Sequence, residues 1–302
     1  MPDNFNTPIL MIVFNRPETT AKVFEQVKAI KPKKLYVAAD GPRPNNPNDL
    51  IKCQETRNVV NAIDWDCDLH TLFQTDNLNC GKGPMTAINW FFEHEENGII
   101  IEDDCVPALS FFKYCAELLQ KYKDHDQIMM INGFNFYKQQ PSENESYYFS
   151  KYGHPWGWAT WRRAWLHFDY YISDFEIRKK EGYFKRYFES RIDRFYRVRK
   201  FQKAYNHAEQ IDFWDYQWDY ARFVNNGLTI IPKQNLVQNI GFGEHATHTI
   251  NSHTKRANMK GNELEFPLIH PANIEQDTYM DKQYLVRFYK DKLLSNIKGF
   301  FG

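Results

Sequence analysis

The chain has 302 residues, and its 38 acidic and 38 basic side chains cancel to a formal net charge of zero. That length supports one large domain or two modest ones with a substantial core, and the charge balance points to neither nucleic acid nor an acidic partner. Phe, Tyr and Trp make up 17% of the chain, a supply that serves a core and also suits a carbohydrate cleft, because aromatic faces cover sugar C–H groups.

Cys53, Cys67, Cys80, Cys105 and Cys115 form no CxxC pair, and a chain of this size does not depend on a disulfide framework. The expected compartment is the reducing cytoplasm. The first residues lack a basic n-region, and the apolar run from Ile9 to Phe14 is too short for a signal peptide. No stretch approaches the ~20 apolar residues of a membrane-spanning helix, so the expectation is a soluble protein, or one peripheral to the inner face of the cell membrane.

Residues 8–14 read as a buried strand, with Asn15 as a cap candidate and Pro17 in the first turn of a helix that continues to Ile30. Residues 34–39 form the next strand and end in Asp40-Gly41-Pro42, opening a parallel sheet with right-handed crossovers. A polar loop at 44–49 and a helix through Val60 lead to a third strand at 69–74. Residues 77–84 read as a polar loop before a helix that carries Ile88, Trp90, Phe91 and Phe92. The aliphatic run Ile99-Ile100-Ile101 then stops in Glu102-Asp103-Asp104. A buried parallel strand of this kind places its carboxyl end where α/β sheets bind ligands.

A helix over 110–121 and a strand over 128–131 close the first half. Aromatic residues crowd 147–165, charged helical segments cover 175–210, late strands lie at 228–231 and 235–240, and an amphipathic helix occupies 281–301. No internal repeat or low-complexity linker appears. The expected organisation is a nucleotide-binding half over 1–132, an acceptor-binding and catalytic half over 133–260, and a tail with its helix over 261–302.

Several clusters carry candidate chemistry. Glu102, Asp103 and Asp104 repel one another unless a cation or solvent screens them; a hard divalent cation holding a phosphorylated substrate is the economical reading, against a solvated acidic turn. Arg16 and Asp40 end early strands, where a carboxylate accepts from a ribose or base and an arginine pairs with a phosphate or base carbonyl; turn chemistry explains Asp40 equally well. Asn79-Cys80-Gly81-Lys82-Gly83 offers backbone N–H groups and one cation to a diphosphate, or is a surface loop. Asp212, Asp215 and Asp219 stand among large aromatics. Desolvation there raises a carboxylate's pKa toward that of a general base, unless the acids point to water. The run 178–203 interleaves bases with aromatics, but its acids favour a solvated helix face over nucleic-acid binding.

Together these stretches resemble inverting glycosyltransferases of the GT-A fold, of the N-acetylglucosaminyltransferase I type and its bacterial relatives in capsule and lipopolysaccharide synthesis. Ile12-Val13-Phe14-Asn15-Arg16 resembles the first strand with its nucleotide-facing arginine, and Glu102-Asp103-Asp104 resembles the family's version of the DxD motif. Phe213-Trp214-Asp215 resembles the segment that carries the catalytic base, and Asn239-Ile240-Gly241-Phe242-Gly243 with Thr247 and His248 resembles the loop that closes over the donor.

The resemblance implies an α/β fold: a Rossmann-like, mostly parallel sheet flanked by helices, with an aromatic-rich acceptor half. It implies Asp104 as ligand of Mn²⁺ or Mg²⁺, Glu102, Asp103, Arg16, Asp40, Lys82, Thr247 and His248 at the donor, and Asp215 as base. It also implies Trp156, Gly157, Trp158 and Trp161 at the sugar or acceptor. His245, beside this pattern, leaves open which histidine faces the metal. The expected partners are a nucleotide-sugar donor, a UDP-sugar first, and a glycan or lipid-linked glycan acceptor. The tail helix, with Lys282, Arg287, Lys290, Lys292 and Lys298, either meets anionic headgroups or packs on the domain. A non-catalytic glycan-binding module is the main alternative. A nucleotidyltransferase wants a Gly-rich loop where Asn15-Arg16-Pro17 stands, and a phosphohydrolase wants a histidine-rich two-metal cluster.

Overall fold

The computed structural model describes residues 5–136, 144–241 and 259–298, the side chains of 294–298 excepted. In chain order the elements are β1 (Ile9–Val13), α1 (Pro17–Ile30), β2 (Lys34–Ala39), α2 (Pro47–Arg57), β3 (Asp68–Phe73), α3 (Asn79–His94), β4 (Asn97–Glu102), β5 (Cys105–Pro107), α4 (Leu109–Lys121), β6 (Ile128–Asn132), β7 (Tyr147–Ser150), β8 (Trp158–Trp161), α5 (Arg162–Trp165), α6 (Phe175–Lys180), α7 (Tyr183–Tyr187), α8 (Arg191–Asn206), α9 (Asp215–Val224), β9 (Leu228–Pro232), β10 (Val237–Asn239) and α10 (Thr278–Lys298). One eight-stranded sheet runs in the order β3-β2-β1-β4-β8-β6-β9-β7. β3, β2, β1 and β4 are mutually parallel, β8 runs against both neighbours, β9 lies parallel to β6, and β7 runs against β9. This is the mixed α/β architecture expected, a mostly parallel sheet with helices on its faces.

Alternation within each central strand divides the core between the two faces of the sheet. Ile9, Met11 and Val13 face the same side as Leu35, Val37, Ile99 and Ile101, and are covered by α1 and α4. Leu10, Tyr36, Ala38 and Ile100 face the other side and meet Ile88, Phe91, Trp214 and Trp218. The near-continuous aliphatic runs of β1, β2 and β4 follow from this two-sided burial. A third cluster, with Phe175, Phe184, Phe188, Phe201, Tyr220 and Phe223, is built by α6–α9 and receives Tyr284 of α10.

β8, from residues 133–260, is inserted between β4 and β6, which both belong to residues 1–132. The stretch after residue 258 is tied back as well. Leu264 and Leu268 enter the main core, and Glu263 accepts from the backbone N–H groups of Leu109 and Ser110, capping α4 at 3.1 and 2.8 Å. α10 packs on the domain through Met280 and Tyr284, leaving Val286 and Leu293 exposed. No helix among the described residues is long and apolar enough to cross a membrane.

Two local expectations are corrected. Residues from Asn79 onward are helical rather than a loop. Asn79 accepts from the N–H groups of Gly81 and Lys82 at 2.8 and 3.2 Å, and Pro84 lies inside the helix, in its second turn. Asn15 does not cap α1; its amide donates to buried Asp49 at 2.7 Å.

Candidate active site

The carboxyl ends of β1, β2 and β4 open onto a cleft of about 720 Å³, whose opposite wall comes from α8, α9 and α10. In the order β3-β2-β1-β4 the connections leave β1 to opposite sides, so the crevice lies at the sheet's topological switch point. Phe14 and Arg16 follow β1, Asp40 follows β2, and Glu102 ends β4.

Arg16 bridges the two aspartates after β4. Its guanidinium donates to both oxygens of Asp103 and, at 2.9 Å, to Oδ2 of Asp104. Asp103 also accepts from the Phe14 N–H at 3.3 Å and is almost wholly buried. The residue expected to face a nucleotide therefore gives the acidic cluster its internal counter-charge. That counter-charge is incomplete. Burial, then the charges of Asp104 and Asp103, push the Glu102 carboxyl well above the usual range. Burial likewise raises Asp103, against the pull of Arg16.

Asp104 is buried at the cleft edge among polar partners. Its Oδ1 accepts from Asn239 Nδ2 and Cys105 Sγ, each at 3.3 Å, and the antiparallel pair of β5 and β10 fixes this corner. The Ile240 N–H donates to the Asp104 carbonyl at 2.8 Å. A Cβ at Gly241 would sit 2.1 Å from Asp104 Oδ2, so only glycine lets the chain pass this carboxylate. Among the described residues no group of three or more His, Cys, Asp or Glu side chains could hold an ion alone. Asp104 would offer an oxygen to a hard divalent cation beside two further carboxylates, sharing it with the hydrogen bonds from Arg16, Asn239 and Cys105.

Asp40 lines the cleft beside β2. It accepts from the N–H groups of Leu78 and Gly41 at 2.8 and 2.9 Å and from Asn77 Nδ2 at 2.9 Å. Burial raises its pKa against these bonds. Lys82 lies outside the cleft wall and pairs with Glu209 at 2.5 Å. The first N–H groups of α3 are taken up by Asn79, as above, so the diphosphate cradle expected there is not open.

Asp215 is the first residue of α9, after Trp214 packs into the core. It is half-buried in the cleft, and burial, reinforced by Asp219, pushes its pKa up to about 6, opposed by the Tyr216 N–H and by Lys200 and Arg197. Asp219 does not point to water. It pairs with Arg197 and Arg222, Arg197 also pairs with Asp193 at 3.4 Å, and Tyr152 and Tyr289 donate to Asp193 at 2.8 and 2.9 Å. This network joins α8, α9 and α10, and its Arg197, Asp219 and Arg222 line the cleft. The basic run of α8 is thus only partly a solvated face, because Asp193 and Arg197 lie inside.

Among the tryptophans, Trp156 lines the cleft, its ring 4.7 Å from Phe134 and 5.9 Å from His154 between centroids. Trp158 and Trp161 correct the expectation that they stack on sugar: they are 0% and 3% exposed. β8 lies within the sheet with both faces covered, so Trp158 packs on Trp214 and Trp218 while Trp161 donates to the Leu119 carbonyl at 3.1 Å. Gly157 serves backbone shape. Its φ is +59°, and a Cβ there would meet Val237 at 2.7 Å. Thr247 and His248, with His245 and the rest of the loop after Gly241, lie outside the described residues. Sequence reasoning missed Tyr284 and Phe288 of α10 and Lys200 of α8, all in the cleft wall; the aromatic spacing in the tail was the only hint.

No protein-family model matches the chain, and neither does any curated protein. Among solved structures, HddC from Yersinia pseudotuberculosis is 8% identical, covers 52% of this chain and 77% of its own, and superposes with a TM-score of 0.32. TarS residues 1–349 from S. aureus are 9% identical with a TM-score of 0.41, covering 76% of this chain; the match spans 59% of that TarS chain. At these values neither likeness bears on what the cleft does.

Proposed function

We propose that the chain is an inverting glycosyltransferase that moves a sugar from a nucleotide-diphosphate donor, a UDP-sugar in the first instance, to a hydroxyl of a glycan acceptor. One observation carries this reading: a half-buried aspartate with its pKa raised to about 6 shares a cleft with the strand end Glu102-Asp103-Asp104, where Arg16 alone among the described residues pairs with the acids. The resemblance of both segments to the GT-A pattern supports it.

In this mechanism Asp40 and the cleft beside β2 take the nucleoside. Asp104 would hold Mn²⁺ or Mg²⁺, which would supply charge neutralisation for a leaving diphosphate. Arg16 keeps Asp103 and Asp104 in place. Asp215 accepts the proton of the attacking hydroxyl as the new bond forms on the face opposite the leaving group, which inverts the anomeric centre. A base poised near pH 6 is ionised at neutral pH and retains proton affinity as the hydroxyl loses its proton. Trp156 and Phe288 offer ring surfaces to sugar.

The test is Asp215→Asn, assayed for sugar transfer and for donor binding. Turnover falls by about 10²–10⁴-fold, the usual contribution of a positioned base, while donor affinity stays within about threefold. Equal losses of both would remove Asp215 from the base role. An acceptor on a lipid carrier would bring the protein to a membrane surface; equal liposome binding with and without residues 278–302 would exclude α10 from that contact.

A further inference from the structure

The cations in the cleft wall are accounted for, with one exception. Arg16, Arg43, Arg197 and Arg222 each sit in an ion pair with aspartate. Lys200 lines the same cleft from α8; it forms no salt bridge among the described residues, although its charge acts on the Asp215 carboxyl. Its ammonium lies 4.7 Å from the ring centroid of Tyr216 and 5.6 Å from that of Phe213, the aromatic residues that bracket Trp214 and Asp215 in sequence. It is half-buried.

The ammonium thus lies over two aromatic faces at the cleft wall instead of in a salt bridge. An incoming anion would complete the arrangement with a charge-assisted hydrogen bond.

Which substrate carries the anion follows from the side of the reaction that Lys200 occupies. In a single displacement the base and the leaving group lie on opposite faces of the transferred sugar. The diphosphate therefore departs across the ring from Asp215, and a cation beside Asp215 faces the acceptor. Lys82, the cation expected for the diphosphate from sequence, is occupied elsewhere and does not change this assignment.

We propose that Lys200 seats an anionic group of the acceptor, a phosphate or a carboxylate close to the attacked hydroxyl, so that the enzyme selects acidic over neutral acceptors. This rests on the reading of Asp215 as the base. Tyr216 and Phe213 fix the ammonium in position, which lowers the entropy cost of engaging the anion, and make Lys200 a specificity determinant rather than a second base.

The experiment measures, by saturation-transfer NMR on the full chain, binding of glycerol 3-phosphate and methyl glucuronide against glycerol and methyl glucoside. Wild type, Lys200→Arg and Lys200→Ala are compared, and affinities for UDP and GDP with Mn²⁺ are measured in parallel. The expected result is that one acidic compound binds wild type at least about tenfold tighter than its neutral counterpart. Lys200→Arg keeps that preference, Lys200→Ala loses it, and nucleotide affinity changes less than about threefold. The phosphate and carboxylate arms report which anion is preferred. No acidic preference in wild type, or a preference that survives Lys200→Ala, overturns the proposal. So does a tenfold loss of nucleotide affinity in Lys200→Ala, which would assign Lys200 to the donor. Failure of wild type to bind either nucleotide counts against the transferase reading alone, since the acidic preference and its dependence on Lys200 are read separately.

Discussion

Replacing Asp215 by asparagine preserves the shape of the side chain and removes only its charge and basicity, so two consequences separate cleanly. In the proposed mechanism Asp215 must be ionised, and its pKa is raised to about 6; kcat/KM should therefore fall tenfold per pH unit below about 6 and level off above it, and a flat profile down to pH 5 would contradict the role. The stability effect has the opposite sense. The folded state binds this proton more tightly than the unfolded chain, whose value is the ordinary 3.8, so the ionised carboxylate is a liability that develops between about pH 4 and 6. Asp215→Asn should accordingly gain about 1–2 kcal/mol at pH 8, discounted for the open side of the cleft, and lose that gain at pH 4, as read by urea denaturation. At Arg16 the expectation reverses. Arg16→Leu leaves Asp103 buried without its partner, costing about 3 kcal/mol at pH 8 and less at pH 5, where Asp103 takes up a proton. An equal loss at both pH values would show that packing, not charge, is what Arg16 supplies.

Elements that announce themselves by a single period were legible in sequence, and those defined by a long-range partner were not. β1, β2 and β4 were readable because burial on both faces leaves an unbroken aliphatic run, and their polar ends fixed Asp40 and Asp104 in the same crevice. Nothing local distinguishes Trp156, which faces the cleft, from Trp158 and Trp161, because β8 is centred in the sheet by its pairing with β4 and β6 rather than by its own composition. The charged pattern of α8 conceals Asp193 and Arg197, whose partners are Asp219 of α9, Tyr289 of α10 and Tyr152 of the loop after β7. Lys200 was hidden in the same run. α10 joins this network and the cleft at once. Tyr284→Ala should cost about 3 kcal/mol through the cavity it leaves in the aromatic cluster and should also weaken acceptor use; a stability loss with unchanged acceptor KM would confine α10 to a structural role.

Across the whole molecule, strands from early and late parts of the sequence alternate in one sheet, with β8 between β4 and β6 and Glu263 capping α4 from 153 residues away. Residues before and after position 132 share this one sheet, so urea unfolding should follow one transition with coincident near- and far-UV signals. Ligands at the cleft then stabilise the entire fold by mass action, by about 2.7 kcal/mol at a hundredfold excess over Kd. The most direct measurement is a thermal-shift panel of UDP-, GDP-, dTDP- and CMP-sugars, each with and without Mn²⁺, on wild type, Asp104→Ala and Asp215→Asn. Stabilisation by one donor that requires the metal, disappears in Asp104→Ala and persists in Asp215→Asn is the predicted result. Absence of a shift with every donor at saturating concentration, or a shift indifferent to Asp104, would contradict nucleotide-sugar transfer as the function of this cleft.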